Sequence, residues 1–276
     1  MNAGLHELPL VIFTVFAQSA VGAWLIFTVV LCRHTNQQSR SYIHKVMFIP
    51  LALLAVGFLA SVMHLGSPWR AFNSLNRIGA SMLSNEIASG ALFFALAGLY
   101  WLLTVSGKLP EQLAKAWLIV SALIGLIFMY MMNNVYHIST VPTWNNGFTT
   151  ASFYLTVLLG GSALAFALLS LNPHKDYCLA WTPWLFGCGI LLAALVILQQ
   201  GFDLPQIHSS VKQAAALVPD YAAMSAVRLY ALAVAAVIFV KLKTLPAFSL
   251  AVILVMVAEM IGRTLFYGAH MTVGMA

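Results

Sequence analysis

Long apolar stretches alternate with short polar segments along the whole chain. A transmembrane helix needs about 20 consecutive, mostly apolar residues to cross the hydrocarbon core of a bilayer. No Lys or Arg precedes the first stretch, which favours a retained span over a secretory signal. The pattern predicts an all-α integral membrane protein with eight transmembrane helices, in a single polytopic domain over residues 1–276. The eight stretches are 8–32, 43–63, 86–106, 116–136, 149–171, 179–200, 221–240 and 247–267.

The basic residues of the connecting segments predict the orientation of the chain. Lys and Arg concentrate in cytoplasmic loops, and an even number of spans places both termini on one side. Only Arg70, Arg77 and Lys212 lie in connections on the side of the termini. We therefore expect both termini in the periplasm. The opposite side holds eight basic residues: Arg33, Arg40, Lys45, Lys108, Lys115, Lys175, Lys241 and Lys243.

The composition excludes several classes of protein. Hydrophobic residues make up 62% of the chain and charged residues only 7%, whereas a soluble domain has about 25% charged residues. The net charge of +6 is not concentrated in any basic run, so we expect no nucleic-acid partner. The three cysteines lack CxxC spacing. The eight histidines lie at span ends or in loops, away from the span interiors that supply haem ligands. We expect neither haem nor a metal site.

Five ionisable residues are predicted to lie in the outer half of the bilayer: His64, Glu86, Arg228, Glu259 and Arg263. Such residues are costly in hydrocarbon, and they mark either functional sites or buried ion pairs. Glu259 and Arg263 are four residues apart and can pair on one helix face. Arg228, about 10 Å deep at 1.5 Å per residue, needs a carboxylate from elsewhere, either Glu259 or Asp220. We interpret Arg228, Glu259 and Arg263 as buried ion pairs, with a direct role in ligand binding or proton handling as the alternative.

His64 ends the second predicted span and Glu86 begins the third, at the same predicted depth. Each has an ordinary structural explanation: a histidine among lipid headgroups, and an acidic residue in the first turn of a helix capped by Ser84 or Asn85. As a pair they have the chemistry that oxidation of a lipid-soluble hydroquinone requires. One group acts as the base that takes a hydroxyl proton, and the other orients that base or binds the second oxygen of the quinol. We therefore predict that His64 and Glu86 bind quinol and accept its protons.

Four segments carry a resemblance to a known family: ELPLVIFTVFAQ, HLGSPWRAFNSLNRIGASMLSNEIASG, IHSSVKQAAALVPDY and EMIGRTLFYGAHMTVGM. In these motifs, which are spread over nearly the whole chain, the protein resembles the membrane-anchor subunits of bacterial dimethyl sulfoxide reductases. The resemblance implies eight spans, periplasmic termini and no haem. It places the quinol-site histidine of the family at His64 and the quinol-site glutamate at Glu86. Gly66 and Arg70 lie in the same motif and are expected to neighbour the site.

The same resemblance implies the cofactors and partners. Menaquinol is the expected bound substrate, and no iron–sulfur cluster or molybdenum is expected in this protein. An iron–sulfur electron-transfer subunit and a molybdopterin catalytic subunit are expected at the periplasmic side of the inner membrane. Two alternatives stay open. One is a purely structural anchor, and the other is a transporter, whose pathway should place polar residues in both halves of the bilayer.

Overall fold

The computed structural model describes residues 2–33, 35–64, 73, 75–209 and 212–273. Within these ranges the protein is helical, with no β-strand. A 3-10 helix covers Leu204–Gln206. The α-helices are α1 (Asn2–Leu5), α2 (Leu8–Cys32), α3 (Gln37–Val46), α4 (Phe48–His64), α5 (Met82–Val105), α6 (Glu111–Val135), α7 (Gly147–Ser170), α8 (Trp181–Asp203), α9 (Ala214–Leu217), α10 (Tyr221–Lys241) and α11 (Leu245–Gly268).

The eight predicted spans are confirmed as helices long and apolar enough to cross a membrane. The second span begins earlier than predicted, because the polar helix α3 leads into α4 after a turn at Met47. The third begins at Met82 rather than at 86. Consequently, Glu86 lies in the second turn of α5 and not in its first turn. The helix-start explanation for this residue is therefore wrong.

Helices α2 and α7 are the most buried spans and form the centre of the bundle. They cross closely because glycines face each other at the contact. A Cβ atom added to Gly22 would clash with the backbone of Val157, and one added to Gly161 would clash with Gly22. Small residues at such crossings let helix backbones approach, which raises van der Waals contact in a lipid environment where the hydrophobic effect does not drive association.

Two apolar clusters pack on either side of this central pair. Trp24, Phe93 and Phe128 belong to the larger one, which joins α2, α4, α5, α6 and α7. Phe186 and Phe239 belong to the second, which joins α7, α8, α10 and α11. Since α7 contributes to both clusters, the second group of helices is fixed in position against the first.

The polar helix α3 is fixed to the bundle by hydrogen bonds. Its N-cap Asn36 accepts a bond from the backbone N–H of Ser39 at 2.7 Å. Ser39 Oγ accepts a bond from Asn172 Nδ2 at 2.8 Å, and Tyr42 Oη donates to the carbonyl of Leu168 at 3.0 Å. These bonds attach α3 to the end of α7, at the end of the bundle opposite to Glu86.

Candidate functional site

Glu86 is a buried carboxylic acid near one end of the bundle. Only 3% of its surface is exposed, and its Oε1 atom has no hydrogen-bond partner among the described residues. Ser89, one turn further along α5, bonds to the backbone carbonyl of Glu86 and not to its side chain. A buried polar atom without a partner is costly, and in a native protein it often marks a ligand or proton site. The carboxyl group is therefore available to a ligand or a proton.

A pair of tyrosines lies close to Glu86. The hydroxyl oxygens of Tyr136, at the end of α6, and Tyr267, in the last turn of α11, are 2.6 Å apart. Both side chains are buried, and both hydroxyls lie within electrostatic range of Glu86. The two rings pack edge-on against each other and against Trp144, which donates a hydrogen bond from Nε1 to the carbonyl of Phe266 at 2.8 Å.

Sequence reasoning missed this tyrosine pair. Tyr267 does fall on the same helical stripe as Glu259 and Arg263, which is a signal that it faces the interior. Tyr136 gives no comparable signal, because aromatic residues at the end of a span are usually interface anchors. Only the tertiary contact of Tyr136, just after α6, with Phe266 and Tyr267 on α11 brings the two hydroxyls together.

His64 is the last residue of α4 and lies at the surface. Its Nε2 atom is 3.2 Å from Oε2 of Glu7, and both side chains are 36% exposed. Within the described part of the protein, no hydrogen bond or ion pair joins His64 to Glu86. The structure thus gives the histidine a different carboxylate as partner, at the start of α2. Gly66 and Arg70, the expected neighbours of the site, lie outside the described residues.

Arg228 and Glu259 form a buried ion pair between α10 and α11. Arg228 Nη2 donates to both carboxylate oxygens of Glu259, each at 3.0 Å. Thr156 on α7 donates a further bond to Glu259 Oε2 at 2.6 Å. Gly262 leaves room for the guanidinium group, since a Cβ atom there would lie 2.6 Å from Arg228 Cζ. The pair therefore connects three helices.

Arg263 differs from the expectation that it pairs with Glu259 on the same helix face. Its Nη2 atom donates to Gln18 Oε1 at 2.7 Å, and its guanidinium carbon lies 3.6 Å from the ring centre of Phe153. The carboxylate of Glu259 is already used by Arg228 and Thr156. A neutral amide and an aromatic face stabilise Arg263 instead.

These groups form one buried polar region at the Glu86 end of the bundle. Arg263 lies within electrostatic range of Tyr136 and Tyr267, which in turn lie within range of Glu86. Among the described residues, four charged side chains are buried, and all belong to this region: Glu86, Arg228, Glu259 and Arg263. No three His, Cys, Asp or Glu side chains in the described ranges come together in a way that could hold a metal ion.

Comparison with known proteins gives matches along the whole sequence. The sequence model of the family described as DMSO reductase anchor subunit (DmsC) matches residues 1–269. The protein is 58% identical over 275 residues to the C subunit of anaerobic dimethyl sulfoxide reductase from Haemophilus influenzae, with 100% of this protein and 99% of the relative covered. It is 49% identical to the YnfH subunit of an Escherichia coli anaerobic dimethyl sulfoxide reductase, and 45% identical to the C subunit from that organism, both with the same coverage.

Proposed function

The protein belongs to the family of dimethyl sulfoxide reductase anchor subunits, and we propose that it oxidises menaquinol and passes the electrons to an iron–sulfur partner subunit. It is a multi-pass protein of the inner membrane. Its partners in this proposal are the iron–sulfur subunit and a molybdopterin catalytic subunit, docked at the periplasmic side.

The observation that carries the proposal is the buried carboxyl group of Glu86. Oxidation of a hydroquinone to a quinone releases two electrons and two protons. A carboxylate beside the bound hydroquinone accepts a hydrogen bond from one hydroxyl and takes its proton as the electrons leave. Glu86 offers an oxygen without a partner among the described residues, in the second turn of a helix long and apolar enough to span the membrane. The electrons then pass to the iron–sulfur partner, so that charge and atoms balance.

His64 is the second proton acceptor in the proposal. Imidazole can take a proton as a general base, and His64 lies at the surface with Glu7 as its partner. We assign it the proton of the other hydroxyl, which it releases to water. Glu7 orients the imidazole ring. Gly66 and Arg70, in the segment between the two acceptors, are proposed to neighbour the bound quinol.

The proposed orientation rests on the distribution of basic residues. Eight Lys and Arg residues lie in the connections or in the adjoining helix ends at the end opposite to Glu86, which favours the cytoplasm for that end. The Glu86 end then faces the periplasm. A quinol site at this end places the electron donor close to a partner docked on the periplasmic surface.

The alternatives fit the buried polar region less well. A transporter should carry ionisable groups through both halves of the bilayer, but the buried charges of the described residues share one end. A purely structural anchor explains the Arg228–Glu259 pair, which holds helices together. It leaves the buried Glu86 carboxyl without a role.

The test uses the complete complex with His64→Ala and Glu86→Gln variants of this subunit. We expect both variants to assemble on the membrane and to oxidise a menaquinol analogue at least about 100-fold more slowly, the usual contribution of a positioned acid or base. Reduction of the acceptor by an artificial donor that bypasses the quinol should be unchanged. Glu111→Gln is the matched control, because Glu111 is an exposed carboxylate at the other end of the bundle. Unchanged quinol-dependent turnover in both variants would refute the site, and loss of membrane attachment in both would favour the structural anchor.

A further inference from the structure

A positively charged cleft lies at the end of the bundle opposite to Glu86. It has a volume of about 320 Å³ and opens between α3, the last turn of α5 and the first turn of α6. Polar side chains from all three segments line it, among them Arg40, His44, Lys45, Thr104 and Glu111. A volume of this size is within the range of small-ligand sites, which runs from about 300 to 1,000 Å³. The proposed quinol chemistry makes no use of this cleft.

The charges in and beside the cleft do not balance. Arg40 Nη1 lies 2.8 Å from Oε1 of Glu111, and the same oxygen is 3.7 Å from Nζ of Lys115. The carboxylate of Glu111 is therefore shared by Arg40 and Lys115. Lys45, which lines the cleft, adds a third positive charge. An anionic ligand would correct this imbalance.

The Arg40 guanidinium retains hydrogen-bonding capacity. Its side chain is only 16% exposed, and its Nε atom is buried without a partner among the described residues. Arginine presents several N–H donors in a planar arrangement that matches the oxygens of a phosphate group. Arg40 is thus held in place by Glu111 with donors left over, next to a cleft of headgroup size.

The surroundings of the cleft indicate how a ligand would lie. The polar helix α3 ends with Lys45 in its last turn, and exposed apolar side chains follow at Phe48 and Ile49. On the adjacent helix α5, Leu102 and Val105 are exposed at the same end. The rings of Phe48 on α4 and Trp101 on α5 pack with their centres 5.2 Å apart and join these two helices on this surface. The basic cleft therefore adjoins a strip of exposed apolar side chains, and Val105 belongs to both.

We propose that this cleft binds the headgroup of an anionic phospholipid. Arg40 and Lys45 bind the phosphodiester oxygens, and the acyl tails lie along the strip formed by Phe48, Leu102 and Val105. The charge bias of the connecting segments favours the cytoplasmic side for this end, where membranes carry anionic lipid and where basic pockets between helices bind lipid headgroups. The bound lipid bridges α3 to the α5–α6 hairpin. This proposal is independent of the quinol chemistry at the other end.

The experiment counts the lipids that remain bound to the purified complex. The complex is reconstituted in bilayers of phosphatidylcholine with and without phosphatidylglycerol, extracted in mild detergent and analysed by native mass spectrometry. The test variant is Arg40→Gln with Lys45→Gln. The matched control is Arg33→Gln with Lys241→Gln, which removes one Arg and one Lys from the same end of the bundle but outside the cleft.

We expect wild type and control to retain phosphatidylglycerol in preference to phosphatidylcholine, and the test variant to bind it about 30-fold more weakly, at about 1 kcal/mol per basic residue. A charge-retaining variant, Arg40→Lys with Lys45→Arg, should recover most of the binding. Equal retention by test and control variants would overturn the proposal. So would displacement of the lipid by inorganic phosphate at equal concentration, which would identify a site for free phosphate. If the test variant does not assemble, the wild-type complex still tests the proposal. Absence of a preference for phosphatidylglycerol in the wild type would contradict it.

Discussion

The hydroxyl oxygens of Tyr136 and Tyr267 lie 2.6 Å apart in the interior of the bundle, where they join the end of α6 to α11 within electrostatic range of Glu86. Both side chains are buried, so this hydrogen bond is shielded from water. Glu86, on α5, lies within electrostatic range of both hydroxyls.

We expect a double-mutant cycle on this pair to be strongly non-additive. Tyr136→Phe or Tyr267→Phe removes the tyrosine partner of a buried hydroxyl, which costs about 1–3 kcal/mol in the free energy of unfolding. The double variant removes both hydroxyls and should lose less than the sum of the two single losses. Thermal unfolding of the purified complex, monitored for this subunit, measures the effect. Additive losses in the free energy of unfolding would show that the hydrogen bond between the two hydroxyls does not stabilise the fold.

The Arg228–Glu259 pair should be needed for assembly before it is needed for turnover. Removing one partner, as in Glu259→Gln, leaves a buried charge without its counterion and costs about 3–5 kcal/mol. We expect Arg228→Gln and Glu259→Gln to lower the amount of complex in the membrane. Arg228→Met combined with Glu259→Leu removes both charges and should restore assembly and quinol oxidation. An assembled double variant that fails to oxidise quinol would instead assign the pair a direct role in the chemistry.

The close crossing of α2 and α7 gives a prediction about stability alone. Gly161→Ala places a methyl group against the backbone of Gly22 and should separate the two central helices. Gly187→Ala in α8 is the control, because a Cβ atom there meets no neighbour within 4 Å. We expect the Gly161 variant to unfold at a lower temperature and the Gly187 variant to match wild type. Equal melting temperatures would show that the crossing tolerates separation.

The proposed site predicts that turnover moves no net charge across the membrane. Protons released by Glu86 and His64 leave at the same side as the electrons, and the reductase partner consumes protons there. In proteoliposomes, we expect no change in membrane potential when the complex oxidises a menaquinol analogue. A potential that builds up during turnover would place proton release and proton consumption on opposite sides.

Much of this architecture could be predicted from the sequence, because a membrane span is a long, local signal. The eight apolar stretches correspond to eight helices, and the need of Arg228 for a carboxylate from another helix follows from the cost of an unpaired charge in hydrocarbon. The partner of Arg263 could not be predicted, since spacing along α11 offered Glu259 and only tertiary packing brings Gln18 and Phe153 into contact. The His64–Glu7 contact was missed for the same reason.

The position of Glu86 shows the limit of boundary prediction. Polar residues before the apolar run suggested a helix start at this residue, whereas the helix begins at Met82. The difference of one turn moves the carboxyl group from a solvated helix end to the interior beside Tyr136. Local sequence does not predict this burial, because the burial depends on how α5 packs against other helices such as α6.

The most direct test of the central claim is single-turnover electron transfer from a menaquinol analogue to the iron–sulfur partner in the intact complex. Wild type is compared with Glu86→Gln, which keeps the size of the side chain and removes its ability to accept a proton. We predict that the electron-transfer rate from quinol falls at least about 100-fold while assembly and reduction by a bypassing donor stay at wild-type levels. An unchanged rate in the assembled Glu86→Gln complex would contradict the assignment of Glu86 as the proton acceptor.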